Sequence, residues 1–249
     1  MKKNIALFST TLLLASFLGG AKAFADDNAN NTANPDSATT EVNGSLKLSE
    51  NGGYNPNPPS PDLNEKTNIE NSYFGIAYIP QTFDIGNVAL ADTNDEQNIV
   101  MQGPTEEDEN SKSFHVAVKD KTRETNRGWT LNVKLDSAVE NGNLGIKIKT
   151  GTKSDSVKRN MNDGDTAFES GDMIEQLKKD NTGNEVTNTD NLEITTVDAE
   201  VMKAVSGKFV NGAYDLELPQ VELHIPDASK VKAQTLSTNV KWTLTNAAE

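Results

Sequence analysis

The chain has 249 residues, with 37 acidic against 23 basic side chains, a formal net charge of -14 and no cysteine. Its mean hydropathy is -0.60. The length admits one medium domain or two small ones, and the polar balance excludes a polytopic membrane protein. Negative charge, with no Lys/Arg run or aromatic-interleaved basic stripe, argues against nucleic acid as a partner. The missing thiols exclude disulfides, thiolate nucleophiles and thiolate metal ligands, so hydrophobic packing has to hold the fold together.

The chain starts with Lys2-Lys3, an apolar stretch from Ile5 to Leu18, and Ala23-Phe24-Ala25. This is the pattern of a secretory signal peptide over residues 1–25. The stretch is shorter than the roughly 20 residues of a spanning helix, so the expectation is a secreted chain and not an integral membrane protein. Cleavage after Ala25 takes Lys2, Lys3 and Lys22 and no acid, which makes the remainder more acidic. Residues 26–43 are mostly Asp, Asn, Ala, Thr and Glu with no apolar period, and read as a disordered polar leader. A β domain is expected over 44–249. It opens with a short strand at Gly44–Leu48 and a connector containing Pro56, Pro58, Pro59 and Pro61.

From there the two-residue period of half-buried strands recurs. Phe74, Ile76 and Tyr78 share a face, as do Phe114, Val116 and Val118. Trp129, Leu131, Val133 and Leu135 alternate with Thr130, Asn132, Lys134 and Asp136, and Leu144, Ile146 and Ile148 repeat the pattern. Asn141-Gly142 between these two runs predicts a hairpin. The interval 150–189 is rich in Asp, Asn, Gly and Lys and reads as a long polar insertion or loop, with a weak helical stretch at Ala167–Lys178 interrupted by Gly171. Alternation returns at Leu192, Ile194 and Thr196, at Tyr214, Leu216 and Leu218, at Val221, Leu223 and Ile225, and at Val240, Trp242 and Leu244. The fold class predicted is all-β, an irregular β-sandwich, with the faces of two sheets burying each other.

Two tripeptides stand out, Trp129-Thr130-Leu131 and Trp242-Thr243-Leu244. Periodicity favours core strands. A recognition reading instead leaves an indole face for a sugar ring or a protein partner. With both motifs, an all-β body, a secretory start and the second motif close to the last residue, the chain resembles the WxL family of Gram-positive cell-surface proteins. The stretches Arg127-Gly128-Trp129-Thr130-Leu131 and Val240-Lys241-Trp242-Thr243-Leu244 carry the resemblance. Phe83-Asp84-Ile85-Gly86 and Val221-Glu222-Leu223-His224-Ile225-Pro226 support it, while the ending Asn246-Ala247-Ala248-Glu249 departs from the Asp- and Pro-containing phrase of many relatives.

The resemblance implies non-covalent attachment to peptidoglycan at the bacterial cell surface, within complexes containing other cell-surface proteins, and no hydrolysis. It marks Trp129, Leu131, Trp242 and Leu244 as the family-defining positions, the tryptophans organising or touching the wall-binding surface and the leucines packing underneath. The sequence shows no sorting motif followed by an apolar tail and positive residues, which fits retention by binding. The alternative is an adhesive or structural module that binds a partner protein or host matrix directly.

An enzyme is not expected, nor a cofactor. The acids are spread over polar faces and loops with no glycosidase pair singled out. His115 and His224, the two histidines, accompany no nucleophile phrase and are expected on solvent-facing strand positions. Asn162, Asp163, Asp165, Glu169 and Asp172 could supply oxygens to calcium, but their spacing is not that of an EF-hand, and a solvated loop is the plainer account, as it is for Asp92, Asp95 and Glu96.

Overall fold

A computed structural model describes residues 33, 35–48, 53–69, 72–101, 113–125, 128–140, 142–175 and 184–247. The signal peptide expected over 1–25 lies outside the described residues, as does most of the leader. The chain divides into Met1–Leu46 and Lys47–Glu249. In the first unit the described residues are exposed and form no helix or strand. The strand expected at Gly44–Leu48 is not formed, because an extended segment without a partner has no hydrogen-bond ladder to hold it.

The second unit is all-β, with strands β1 (Asn64–Lys66), β2 (Phe74–Pro80), β3 (Gln97–Val100), β4 (Phe114–Asp120), β5 (Gly128–Leu135), β6 (Lys147–Lys149), β7 (Lys158–Asn160), β8 (Met173–Glu175), β9 (Val186–Asn188), β10 (Glu193–Ile194), β11 (Ala199–Ala204), β12 (Gly212–Leu218), β13 (Glu222–Ile225) and β14 (Val240–Ala247). They form three sheets without barrel closure: β1-β2-β4-β12-β7-β8, β10-β6-β13-β3 and β14-β5-β11-β9. Val116 and Leu216 of the first, Ile148 and Leu223 of the second and Leu131 and Val133 of the third meet in one buried cluster. This is the irregular sandwich that the alternating pattern predicts, its sheets held by apolar side chains removed from water.

Several local expectations change. Phe74 and Ile76 pack on the main cluster, but Tyr78 does not share their face. A bulge between Ile76 and Tyr78 inserts one residue opposite β4, so that Ile76 faces Val118 and Tyr78 faces Ala117. One extra residue flips every side chain beyond it, and Ala77, Tyr78 and Ala117 form a second small cluster. The hairpin expected around Asn141-Gly142 is absent as well, with Asn141 itself outside the described residues. Both edges of β5 are occupied, by β11 and β14, so β6 joins β10 and β13 in another sheet.

The interval 150–189, read as insertion or loop, contributes the short strands β7, β8 and β9, two to the first sheet and one to the third. In place of the weak helix the described residues have a single 3-10 turn at Ser170–Asp172 followed directly by β8. Gly171 and the polar neighbours give a longer helix no apolar stripe to bury.

Candidate functional site

The two Trp-Thr-Leu motifs, far apart in sequence, lie side by side on antiparallel β5 and β14. Leu131 faces Leu244, Trp129 faces Asn246 and Trp242 faces Val133. The tryptophans and leucines therefore share the inner face, while Thr130, Asn132, Thr243 and Thr245 share the outer one. Thr245 Oγ1 donates to the Thr130 carbonyl at 3.2 Å. The sequence could not show this adjacency, since period-two patterning marks a strand's faces and not its neighbours.

The two indoles are not equivalent. Trp129 is 1% exposed and sits tilted against Tyr214, with ring centroids 6.2 Å apart. Among the described residues its Nε1 has no hydrogen-bond partner. The Tyr214 hydroxyl donates to Glu185 at 3.1 Å, and burial, with the Glu185 charge adding to it, raises its pKa. Trp129 is thus a strut of the core. Trp242 is half-buried and, with Val240, lines a cavity of 890 Å³. Ile99, Ile148, Leu223 and Ile225 form apolar parts of the lining, and the stretches 79–90 and 231–239 contribute most of the remainder, among them Thr82, Asn87, Thr235 and Asn239.

The family described as WxL domain surface cell wall-binding matches residues 33–247. The chain belongs to the WxL family. No curated protein and no solved structure matches it. The paired strands that carry the family's motifs thus form the centre of its third sheet and that sheet's edge, and WxL membership places the chain among proteins of the cell surface and wall. Among the described residues no helix is long and apolar enough to cross a membrane.

In this WxL chain both histidines are buried and so depart from the solvent-facing positions expected of them. His115 is buried on the second face of β4. Its Nδ1 lies 3.0 Å from Asp215, and the Tyr78 hydroxyl donates to the same carboxylate at 2.7 Å. Asn160 Nδ2 donates to Tyr78 Oη at 3.0 Å. On the other side Ser113 Oγ is 3.2 Å from His115 Nε2. Ser113, His115 and Asp215 therefore stand in the contact order of a catalytic triad. The hydroxyl, however, donates to Glu217 at 2.8 Å. A triad serine gives its proton to the imidazole, and here the Ser113 hydroxyl is directed to the Glu217 carboxylate instead. Burial pulls the His115 pKa down, but the Asp215 charge and hydrogen bond, helped by Glu217, leave it raised.

His224 is also buried, with Nδ1 2.7 Å from Asn98 Oδ1. Burial and the Lys149 charge lower its pKa. Sequence reasoning missed Ser113, Asp215, Tyr78 and Asn160 as a cluster. Only the outward alternation of Ser113, His115 and of Asp215, Glu217 hinted at a polar face.

The acids of the loop after β7 serve the loop itself. Asp163 Oδ1 accepts from the backbone amides of Asp165 and Thr166 and from the Thr166 hydroxyl, and these bonds lower its pKa. Asp172 accepts from Asn162 and from the Glu169 amide. Among the described residues no group of three or more His, Asp or Glu is arranged to hold a metal ion.

Proposed function

We propose that this protein is a non-catalytic surface component that attaches non-covalently to peptidoglycan through the outer face of its paired motif strands, as part of a surface protein complex. The observation that carries the reading is the pairing of β5 with β14. Both motif tryptophans and leucines turn inward, so the residues left facing out are the middle threonines of the two motifs, Thr130 and Thr243, next to Asn132 and Thr245. Hydroxyl and amide groups on a flat sheet suit the hydroxyls and amides of glycan strands and stem peptides. The inner row supplies rigidity to that surface, Trp129 from within the core and Trp242 from the rim of the cavity. The net charge of -14 does not oppose such contacts, because binding follows the local surface and not the sum.

The test is co-sedimentation of the purified protein with purified sacculi. Wild type is expected in the pellet, and Thr130→Ala/Asn132→Ala/Thr243→Ala, folded by circular dichroism, should bind more weakly by about tenfold or more, as the loss of three hydrogen bonds worth roughly 0.5–1.5 kcal/mol each implies. Folded wild type that stays in the supernatant would sink the reading.

A further inference from the structure

Among the described residues one stretch patterned as a strand is exposed, and one long strand ends its sheet with no further strand paired to its outer edge. In residues 40–48, Thr40, Val42, Gly44, Leu46 and Leu48 alternate with Glu41, Asn43, Ser45 and Lys47, the pattern of a strand buried on one face. Yet Val42 is 92% and Leu46 102% exposed, although the stretch lies inside the matched family region. At the other end of the chain, β14 has eight residues and ends its sheet. Its inner row, Val240, Trp242 and Leu244, is only half-buried, whereas the residues it faces on β5, Leu135, Val133 and Leu131, are fully buried. A cavity lies beside Val240 and Trp242.

We propose that the stretch 40–48 of one molecule adds as a strand to the outer edge of β14 in a second copy of this chain, placing Val42 and Leu46 against the apolar part of the cavity beside Trp242. Length fits: at about 3.3 Å per residue the stretch spans the eight-residue edge. Main-chain hydrogen bonds supply affinity in such strand addition, and alternate side chains in pockets supply specificity. Charge fits too. At -14 the whole chain repels a second copy, but the stretch holds one acid and one base, Glu41 and Lys47, while β14 holds Lys241 and no acid. Strand addition thus joins the near-neutral parts of two acidic molecules. Donor and acceptor are different surfaces, so a copy that donates still offers its own β14, and the contact extends head to tail. Wall binding by the outer face is independent of it.

The absence of cysteine makes a cross-linking test clean. A Ser45→Cys chain is mixed under oxidation with Lys241→Cys, Thr243→Cys or Thr245→Cys chains, the three covering the register. The expected result is a mixed disulfide between two chains in at least one mixture. Sedimentation should show species above monomer that grow with concentration and salt, and Val42→Asp/Leu46→Asp should return the protein to monomer with its circular dichroism unchanged. Monomer at every concentration with no mixed disulfide would overturn the proposal. So would an intramolecular disulfide at monomer mass in a Ser45→Cys/Thr243→Cys chain, which would put the stretch on its own β14, or oligomers that survive Val42→Asp/Leu46→Asp.

Discussion

Trp129 and Trp242 occupy the same place in identical tripeptides but have different surroundings, so equal truncations should have unequal costs. Trp129→Ala opens a cavity in a closed core and should destabilise by roughly 3–5 kcal/mol. Trp242→Ala, at the rim of a cavity already present, should cost about 1–2 kcal/mol. Urea denaturation of the two variants checks the order. Lys119 offers the opposite sign. It is 0% exposed, its Nζ has no hydrogen-bond partner among the described residues, and burial, with Lys66 nearby, lowers its pKa. Lys119→Met keeps the stem and removes the stranded amine, and should raise stability by roughly 1–3 kcal/mol in the same assay.

The histidines give a pH dependence with two opposed parts. The folded pKa of His115 is raised, so its contribution is fully present below the unfolded value of about 6.5 and is lost as pH rises through the folded value. The folded pKa of His224 is lowered, so the unfolded chain takes up its proton first, and stability falls as pH drops below about 6.5. Wild type shows the difference between them. In His224→Gln the urea midpoint should fall as pH rises from about 6 to about 8, and in His115→Gln it should rise over the same window. Flat profiles in both variants would refute the assignment.

At the scale of elements, the strands differ in how firmly they are held. β5 is hydrogen-bonded on both edges, by β14 and β11, and its inner row is fully buried. β14 is bonded on one edge. Hydrogen exchange at a concentration where the protein is monomeric should find the amides of β5 among the slowest, with those of β14 alternating between slow and fast, because every second amide of an edge strand points away from its neighbour. Strand addition should slow the fast set.

The elements also mark where the sequence was legible. Phe114, Val116 and Val118 alternate cleanly, and their strand forms with those three side chains in the main cluster. Ala199–Ala204 was not legible. Its chain bulges between Glu200 and Met202, so Val201 and Met202 are both buried and no period of two survives. In Phe74–Pro80 the period seemed intact in letters, yet the bulge sent Tyr78 to the opposite face, where it meets Asp215 and Asn160. Strands of three residues such as Lys158–Asn160 and Val186–Asn188 are too short to show any period and exist only because a longer neighbour offers an edge.

For the whole molecule, three sheets share one core without a disulfide, and a polar cluster sits on the far side of the largest. By itself the sequence determined the all-β class, the faces of the long regular strands, the family and its two motifs, because alternation and motif residues are local properties of the chain. Tertiary structure alone decided that the motifs are neighbours, that one tryptophan is a strut while the other borders a cavity, and that His115 is a buried partner of Asp215. Pairing brings together residues distant along the chain, and a bulge of one residue reverses a face. Neither has a signature in the period of a single strand.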